Sequence, residues 1–121
     1  MAGGDIRESL GRRGEDLACE YLGRNGFAVV ERNYRTPRGE IDIVARLGRL
    51  TVFVEVKARR TGEYGEPEEA VTGTKVRRIR AVASEYLGEK GLGTDVRFDV
   101  ISILLDGDDN LKDLRHLPDA F

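Results

Sequence analysis

The sequence holds very little of the chemistry that defines several common classes of protein. Among its 121 residues there is one cysteine, Cys19, one histidine, His116, and no tryptophan. A single cysteine cannot form an internal disulfide, and one cysteine with one histidine cannot supply the four ligands of a structural zinc site. Because aromatic residues make up only 7% of the chain, an aromatic platform for stacking nucleic-acid bases is not expected.

The sequence also lacks the long apolar segments of membrane and secreted proteins. Val100–Leu105 is its most apolar short stretch, far below the roughly 20 residues that a transmembrane helix needs. The first residues, Met1–Leu10, carry charges and no apolar centre of a signal peptide. We therefore expect a soluble, cytoplasmic protein that does not engage a membrane.

A basic surplus over the whole chain is missing as well. The formal net charge is −2, but residues 1–80 hold 16 Lys and Arg against 13 Asp and Glu, whereas residues 81–121 hold 4 against 9. Proteins that bind nucleic acid non-specifically usually show a basic surplus. A surface that faces phosphates must therefore be a local patch in the first two thirds of the chain.

What the chain does contain suits one folded domain over residues 1–121, because 40% of the residues are hydrophobic and 35% are charged. Periodicity and turn residues predict, in order, a helix with the apolar stripe Leu10, Leu17, Ala18, Tyr21 and Leu22, strands over Phe27–Tyr34, Glu40–Leu47 and Leu50–Lys57, a helix from about Thr74, and a strand over Val96–Leu105. This order predicts an α/β fold with a mixed β-sheet flanked by helices. Arg59–Pro67 is predicted to be a mobile loop, and Leu111–Phe121 a short tail.

The second and third strands are predicted to form a tight hairpin. Gly48-Arg49 suits a two-residue type II′ turn, because glycine fits its first central position. This turn places Asp42 opposite Glu55 and Glu40 opposite Lys57. Alternation of side chains makes one face of the hairpin wholly apolar, and that face is expected to pack on a helix. Its residues are Ile41, Ile43, Ala45, Leu47, Leu50, Val52, Val54 and Val56.

The other face of the hairpin brings two carboxylates together. Carboxylates about 5 Å apart repel each other by roughly 3 kcal/mol at an effective dielectric constant near 20. A shared proton or a cation relieves this repulsion, and hard divalent cations such as Mg²⁺ favour carboxylate oxygens. With the ammonium of Lys57 beside Asp42 and Glu55, the group suits metal-assisted hydrolysis of a phosphodiester. Spacing alone leaves a second interpretation open, an ordinary solvated strand face.

Several motifs together carry a family resemblance. They are Gly11-Arg12-Arg13-Gly14-Glu15, Gly39-Glu40-Ile41-Asp42, Glu55-Val56-Lys57, Gly65-x-Pro67-x-Glu69-Ala70-Val71, Lys75, Arg97-Phe98-Asp99-Val100 and His116-Leu117-Pro118-Asp119-Ala120-Phe121. The Asp…Glu-X-Lys pattern resembles the signature of the PD-(D/E)XK nuclease superfamily, although Ile41 stands where that superfamily often has proline. The whole ordered set resembles the YraN-like family of uncharacterised bacterial proteins, which is similar to archaeal Holliday-junction resolvases.

The resemblance implies a restriction-endonuclease-like fold and a set of roles for named residues. Asp42 and Glu55 would hold Mg²⁺ or Mn²⁺, with the backbone carbonyl of Val56 completing the metal shell. Lys57 would be the catalytic lysine. Glu15 matches a glutamate that joins the site in resolvases, but it is equally well explained as an acid that stabilises a helix N-terminus. Glu40 would be an ion-pair partner of Lys57 or a supporting group behind the metal ligands.

Basic residues border this predicted site and are candidates for gripping DNA phosphates. They are Arg12, Arg13, Arg35, Arg38, Arg59, Arg60, Lys75 and Arg78. The first-helix pair Arg12 and Arg13, together with Lys75, are favoured because the resemblance covers them, while ordinary surface pairing is the alternative for any single arginine. Tyr64 is a candidate for stacking on a base.

The sequence therefore predicts a metal-dependent endonuclease that acts on duplex or branched DNA, plausibly as a homodimer. The alternatives are a DNA-binding module without catalysis and a protein-interaction scaffold. His116 and Cys19 are predicted to be structural, since no nucleophilic partner is indicated near them. Asp99 interrupts an apolar strand, and either capping or support of the sheet edge would explain it.

Overall fold

A computed structural model describes residues 6–62, 73–92 and 95–121 of the chain. Its helices and strands are, in order, α1 (Ile6–Arg24), β1 (Ala28–Thr36), β2 (Gly39–Leu47), β3 (Leu50–Arg60), α2 (Gly73–Lys90), β4 (Val96–Leu105) and β5 (Leu111–Leu117). Neither of these helices is long and apolar enough to cross a membrane.

The five strands form one mixed sheet in the order β1-β2-β3-β4-β5. Neighbouring strands are antiparallel except β3 and β4, which run parallel. A parallel pair needs a crossover connection, and α2 lies in the connection between β3 and β4. The predicted mixed sheet with helices packed on it is therefore confirmed.

The hairpin of β2 and β3 has the predicted register. Ile43 pairs with Val54 and Leu47 pairs with Leu50 around the turn. Gly48 has a φ of 60°, while Arg49 is not among the residues with positive φ, as a type II′ turn requires. The ladder to β3 ends at Ile43, and Glu40 pairs with Arg35 of β1. The predicted alignment of Glu40 with Lys57 is therefore not part of the ladder.

The two helices cover opposite faces of the sheet. On one face α1 packs on buried residues of the three central strands, in a cluster formed by Ala18, Leu22, Ile43, Ala45, Val52, Val54, Ile101, Ile103 and Leu105. On the other face α2 packs on a second cluster, formed by Tyr34, Ile41, Val44, Phe53, Ile79, Val82, Ala83, Tyr86 and Phe98. The predicted apolar face of the hairpin is thus confirmed for Ile43, Ala45, Val52 and Val54, and Leu50 and Val56 are partly buried against the same cluster. Leu47, beside the turn, is exposed instead of packed on a helix.

Close packing of α1 on β3 explains a glycine within the first helix. A Cβ atom added to Gly14 would lie 2.6 Å from the Cβ of Ala58, a separation that packed carbon atoms do not tolerate. A side chain at this position would push α1 away from the sheet. Gly14 therefore has a packing role, consistent with the absence of a phosphate-binding glycine pattern around it.

Ile41 is a correction to the predicted apolar face, because it lies with the α2-side cluster while Ile43 lies with the α1-side cluster. The cause is a break in alternation at the neighbouring strand pair. Asn33 of β1 has a φ of 53°, a left-handed conformation that asparagine tolerates better than most residues. The pairs on either side, Arg32 with Ile43 and Tyr34 with Ile41, place Asn33 opposite Asp42. Both strands therefore turn their side chains over at this pair.

Two further predictions are wrong. The tail after the acidic turn contains β5, which pairs antiparallel with β4 from Val100 to Leu105. Its alternation is hard to recognise because five of its seven residues are exposed. The predicted loop also begins too early, since Arg59 and Arg60 pair with Leu104 and Leu105 and belong to β3. The rest of that loop, with Tyr64, lies outside the described residues apart from Thr61 and Gly62.

Candidate active site

Asp42 and Glu55 come together at the end of the β2–β3 ladder. The N–H of Val56 donates to Oδ2 of Asp42 at 2.8 Å, so a side chain accepts a backbone hydrogen bond just beyond the last paired residues. Asp42 and Glu55 line the same cavity, and Glu55 is close enough to raise the pKa of Asp42. Glu55 is buried, with 7% of its surface exposed. The predicted meeting of two carboxylates is therefore present in the structure.

Both carboxylates open into one cavity of about 350 Å³ between this end of the hairpin and the start of α2. Its lining residues are Gly39, Glu40, Asp42, Glu55, Val56, Lys75, Arg78 and Ile79. Two of these are cations from successive turns of α2, and three are acids. The cavity thus combines acceptors for a cation with donors for an anion.

The proximity of two acids changes the proton affinity of Asp42. Burial, followed by the hydrogen bond to Glu55 and the negative charge of Glu55, raises the pKa of Asp42 to about 9, although the Val56 N–H opposes the shift. In the absence of a cation, Asp42 therefore holds a proton at neutral pH beside Glu55. A cation held by both carboxylates would take the place of this proton.

Lys75 of α2 reaches across the cavity to the pair of acids. Its Nζ lies 2.5 Å from Oε2 of Glu55, with 44% of the Lys75 side chain exposed against 8% for Glu55. Burial on its own would lower the pKa of Lys75, but the hydrogen bond and charge of Glu55 raise it above the ordinary value. Lys57, the lysine of the sequence motif, is within hydrogen-bonding reach of Lys75. Two amines therefore accompany the two carboxylates.

These residues fit a hard divalent cation. Mg²⁺ in enzymes is commonly held by one or two carboxylates, with water and substrate phosphates as the remaining ligands. Asp42 and Glu55 supply two carboxylates at one cavity, which Val56 also lines. Across residues 6–62, 73–92 and 95–121, no group of three or more His, Cys, Asp and Glu side chains is placed to hold a metal ion. The chain would thus provide the two-carboxylate form of such a site.

Glu15 lies beside this cavity rather than in it. It lines an adjoining cavity of about 400 Å³, formed by Gly11, Arg12, Glu15, Asp16, Arg32, Asn33, Arg35 and Glu40. The amide of Asn33 donates to both carboxylate oxygens of Glu15, at 3.0 and 3.2 Å. Glu40 lines both cavities and forms an ion pair with Arg35 at 2.5 Å. The two cavities therefore meet at Glu40.

Asn33 is the functional candidate that the sequence interpretation missed. It lies opposite Asp42 in the sheet, holds Glu15, and has a strained backbone conformation. Non-glycine residues with positive φ are rare and concentrate at functional sites. An asparagine between Arg32 and Tyr34 in a predicted strand was the available signal, but it also fits an exposed edge-strand residue.

The predicted phosphate-binding residues are distributed over more than one surface. Arg78 lines the cavity of the carboxylate pair, and Arg12 lines the adjoining cavity. Arg38 lies 3.9 Å from Glu85 of α2. Arg13 instead donates to the carbonyl of Asp109 in the β4–β5 turn, on the far side of α1 from Arg12. Arg59 is half-buried in β3.

Arg60, the last residue of β3, contacts the β4–β5 turn and does not line the cavity of the carboxylate pair. Its guanidinium donates to both carboxylate oxygens of Asp109, at 2.6 and 3.1 Å. Asp109 has a positive φ of 62° and accepts these bonds together with the one from Arg13. The two arginines therefore fix the β4–β5 turn against β3 and α1.

A second carboxylate network lies on the opposite face of the sheet. Asp99 is fully buried and accepts hydrogen bonds from Arg97 at 2.8 Å and from the N–H of Asp119 at 3.0 Å. His116 Nε2 lies 2.7 Å from Asp99, and His116 Nδ1 lies 2.9 Å from the hydroxyl of Tyr21. This network joins α1, β4, β5 and the residues after β5. It gives Asp99 and His116 structural roles.

Cys19 also has a structural position. It is half-buried and packs against the cluster beneath α1. Burial raises the pKa of its thiol, although the charge of Arg32 opposes the shift. A thiol with a raised pKa is a poor nucleophile at neutral pH.

The fold defines a class of protein: an α/β, restriction-endonuclease-like domain. The structure is similar to that of Hjc, a Holliday junction resolvase from the archaeal hyperthermophile Archaeoglobus fulgidus, with a TM-score of 0.52 over 88% of this chain and 73% of that chain. Sequence identity between the two is 22%, so the likeness speaks for the fold alone.

Within that class, the chain belongs to the uncharacterised protein family UPF0102, which its residues 14–103 match. It is 46% identical to a UPF0102 protein of Anaeromyxobacter dehalogenans over 98% of this chain and 87% of the relative. Its identity to a UPF0102 protein of Geobacter metallireducens is 48%, over 94% of this chain and 93% of that relative. The resemblance to the YraN-like family is thereby confirmed.

Proposed function

We propose that the protein is a divalent-cation-dependent endonuclease that hydrolyses DNA phosphodiester bonds, with branched or junction DNA as its substrate class. The observation that carries this proposal is the meeting of Asp42 and Glu55 with Lys75 at one cavity on a nuclease-like fold. The preference for branched DNA is supported only by the resolvase likeness. A symmetric cut of two strands would require two copies of the chain, so we propose a homodimer.

The residues of the cavity divide the chemistry among themselves. Asp42, Glu55 and the carbonyl of Val56 would hold Mg²⁺ or Mn²⁺, which when bound supplies the Lewis acidity that phosphodiester hydrolysis needs. Lys57 supplies an amine beside the carboxylates, where it can stabilise negative charge that develops on a phosphate. Glu15 and Glu40 are proposed to support this group from the adjoining cavity.

The surrounding cations would position the DNA backbone. Arg78 faces the cavity from α2, and Arg38 lies on the turn that leads into β2. Together with Arg12, and with Arg13 and Arg59 in a lesser role, they would contact phosphates without reading base sequence. Their contribution should weaken steeply with salt, as phosphate contacts do.

A cleavage panel tests the proposal. Single-stranded, duplex, flap and four-way-junction DNA are incubated with the full chain in Mg²⁺, in Mn²⁺ and in chelator. We expect cleavage that requires a cation and is fastest on the junction. Asp42→Asn and Glu55→Gln should each lower the rate by about 100-fold or more, because loss of even an outer partner of a metal ligand costs 10–100-fold.

The matched control is Glu20→Gln, which removes one carboxylate from the exposed side of α1, where Glu20 pairs with Arg24. Its cleavage rate should equal that of the original chain. Cleavage that persists in chelator, or that Asp42→Asn leaves unchanged, would refute the proposal.

One observation favours a second function, a nucleic-acid-binding module without catalysis. Among the described residues Asp42 accepts the Val56 N–H and Glu55 pairs with the ammonium of Lys75, and no group of three or more acids, histidines or cysteines is placed to hold a metal ion. This function predicts salt-dependent binding of junction DNA that survives Asp42→Asn, with no cleavage of any substrate in Mn²⁺.

A further inference from the structure

We infer that Lys75 is a built-in counter-ion of Glu55, which a divalent cation displaces and which then binds a phosphate of the DNA. The inference rests on the proposed function and deepens it, since it assigns to Lys75 a coupling between cation and substrate. The strand lysine of the sequence motif, Lys57, is a different residue on a different element.

The first step is the difference in solvent exposure between Glu55 and Lys75. Glu55 is almost completely withdrawn from solvent, whereas nearly half of the Lys75 side chain is exposed. A buried carboxylate needs a partner at all times, because an unpaired buried charge is costly. Lys75 supplies this partner from a half-exposed side chain that lines the cavity.

The second step is competition for the same carboxylate. The Nζ of Lys75 lies 2.5 Å from Oε2 of Glu55, and the carboxylates of Glu55 and Asp42 line the same cavity. A cation that is shared by Asp42 and Glu55 comes within a few ångströms of the Lys75 ammonium. Two positive charges at that distance repel each other strongly in a partly buried site. Cation binding therefore favours departure of the Lys75 ammonium.

The third step is the destination of the released ammonium. Lys75 is the third residue of α2, with a flexible four-carbon stem, and Arg78 lines the same cavity one turn further on. Lys57 within reach of Lys75 adds another amine. A phosphate that enters this cavity would meet Lys75 and Arg78, which both line it, so the ammonium would exchange one anionic partner for another.

The proposed coupling predicts that replacing Lys75 changes Mn²⁺ affinity and cation-dependent DNA affinity in opposite directions. Replacing Lys75 by glutamine removes the competitor for Glu55, so Mn²⁺ should bind about tenfold more tightly, within the usual range of coupling between sites. The same change removes a phosphate partner, so the increase in DNA affinity that a cation produces should fall by about the same factor. A purely structural role for Lys75 would weaken both.

The experiment measures both quantities on the full chain. Mn²⁺ affinity is determined by calorimetry without DNA. Affinity for a labelled four-way junction is determined by fluorescence anisotropy in chelator and in Ca²⁺. Lys75→Arg keeps the charge and should resemble the original chain in both. Arg77→Gln makes the same change of charge at an exposed position of α2, and it should leave Mn²⁺ affinity within about twofold. Melting curves confirm that each variant is folded.

Opposite changes in Lys75→Gln support the inference. A Mn²⁺ affinity that is unchanged or lower in folded Lys75→Gln overturns it, while Mn²⁺ binding that depends on Asp42 leaves the proposed function standing. If the original chain binds no Mn²⁺, both the proposed function and the inference fail.

Discussion

Two aspartates flank the central strand β3 and face opposite sides of the sheet. Asp99, on the α1 side, is hydrogen-bonded to Arg97, His116 and the Asp119 N–H, and although burial would raise its pKa, these partners lower it below the ordinary value. Asp42, on the α2 side, has another acid as its main neighbour, and its pKa is raised. Asp99 accepts hydrogen bonds from Arg97, His116 and the Asp119 N–H, whereas Asp42 accepts one backbone N–H and lies beside a second acid, Glu55. This contrast is the one expected if Asp42 has the proposed role of a metal ligand and Asp99 a structural one.

The largest expected effect comes from removing the structural carboxylate. Asp99→Ala leaves Arg97 and His116 without their acceptor, so the free energy of unfolding should fall by about 3–5 kcal/mol. Urea denaturation measures this change. Asp113→Ala, at an exposed residue of β5 paired with Arg115, is the matched control and should cost less than about 1 kcal/mol. Equal costs for the two variants would contradict the structural role of the Asp99 network.

The next effect concerns pH, in protein kept free of metal by a chelator. Folding raises the pKa of Asp42 from 3.8 to about 9, so the folded chain holds a proton that the unfolded chain has lost. This contribution to stability is complete below pH 3.8 and is lost as the pH rises toward 9. Asp42→Asn has no such proton.

The stability of Asp42→Asn relative to the original chain should therefore grow with pH, by at most about 1.4 kcal/mol per pH unit. Denaturation at several pH values between 5 and 8 measures the difference. A difference that stays constant would contradict the proton held by Asp42. The effect of Asp99 on stability has the opposite pH dependence. Because its pKa is lowered in the folded chain, its contribution to stability is lost only as the pH falls below the ordinary pKa of aspartate.

The smallest effect distinguishes the backbone of Asn33 from its amide. Asn33→Gly keeps the left-handed conformation but loses the hydrogen bonds to Glu15. Asn33→Ala loses the same hydrogen bonds, and its Cβ also disfavours the left-handed conformation. Alanine should therefore be about 1 kcal/mol less stable than glycine at this position. If Glu15 acts with Asp42, both variants should lower the cleavage rate equally. A loss of cleavage in Asn33→Ala alone would assign the effect to the strand geometry, and unchanged cleavage in both would separate Glu15 from the site.

Much of the molecule follows from local sequence patterns, and the exceptions have physical causes. The register of the hairpin followed from Gly48-Arg49, because a two-residue turn fixes every pair behind it. The strand β5 could not be recognised, since its exposed, charged residues give little alternation. Ile41 was assigned to the wrong face because alternation assumes a regular strand, and the conformation of Asn33 interrupts it.

In the site, too, contacts within one hairpin could be predicted from the sequence, whereas contacts between distant elements could not. Asp42 and Glu55 could be placed together because both belong to one hairpin. The ion pair of Lys75 with Glu55 joins an element after β3 to the middle of that strand, and no local rule relates residues so far apart in the chain. Arg12 and Arg13 show the converse, since neighbours on a helix point about 100° apart and only tertiary packing decides which one faces a cavity.

The most direct test of the account is the position of a bound cation. Crystals of the full chain soaked in Mn²⁺ would show the ion by its anomalous scattering. We predict one ion at the cavity of the β2–β3 hairpin, about 2.0–2.2 Å from a carboxylate oxygen of Asp42 and one of Glu55. A Mn²⁺ ion bound at full occupancy elsewhere in the molecule, or an ion that contacts only Asp42 or only Glu55, would contradict this prediction.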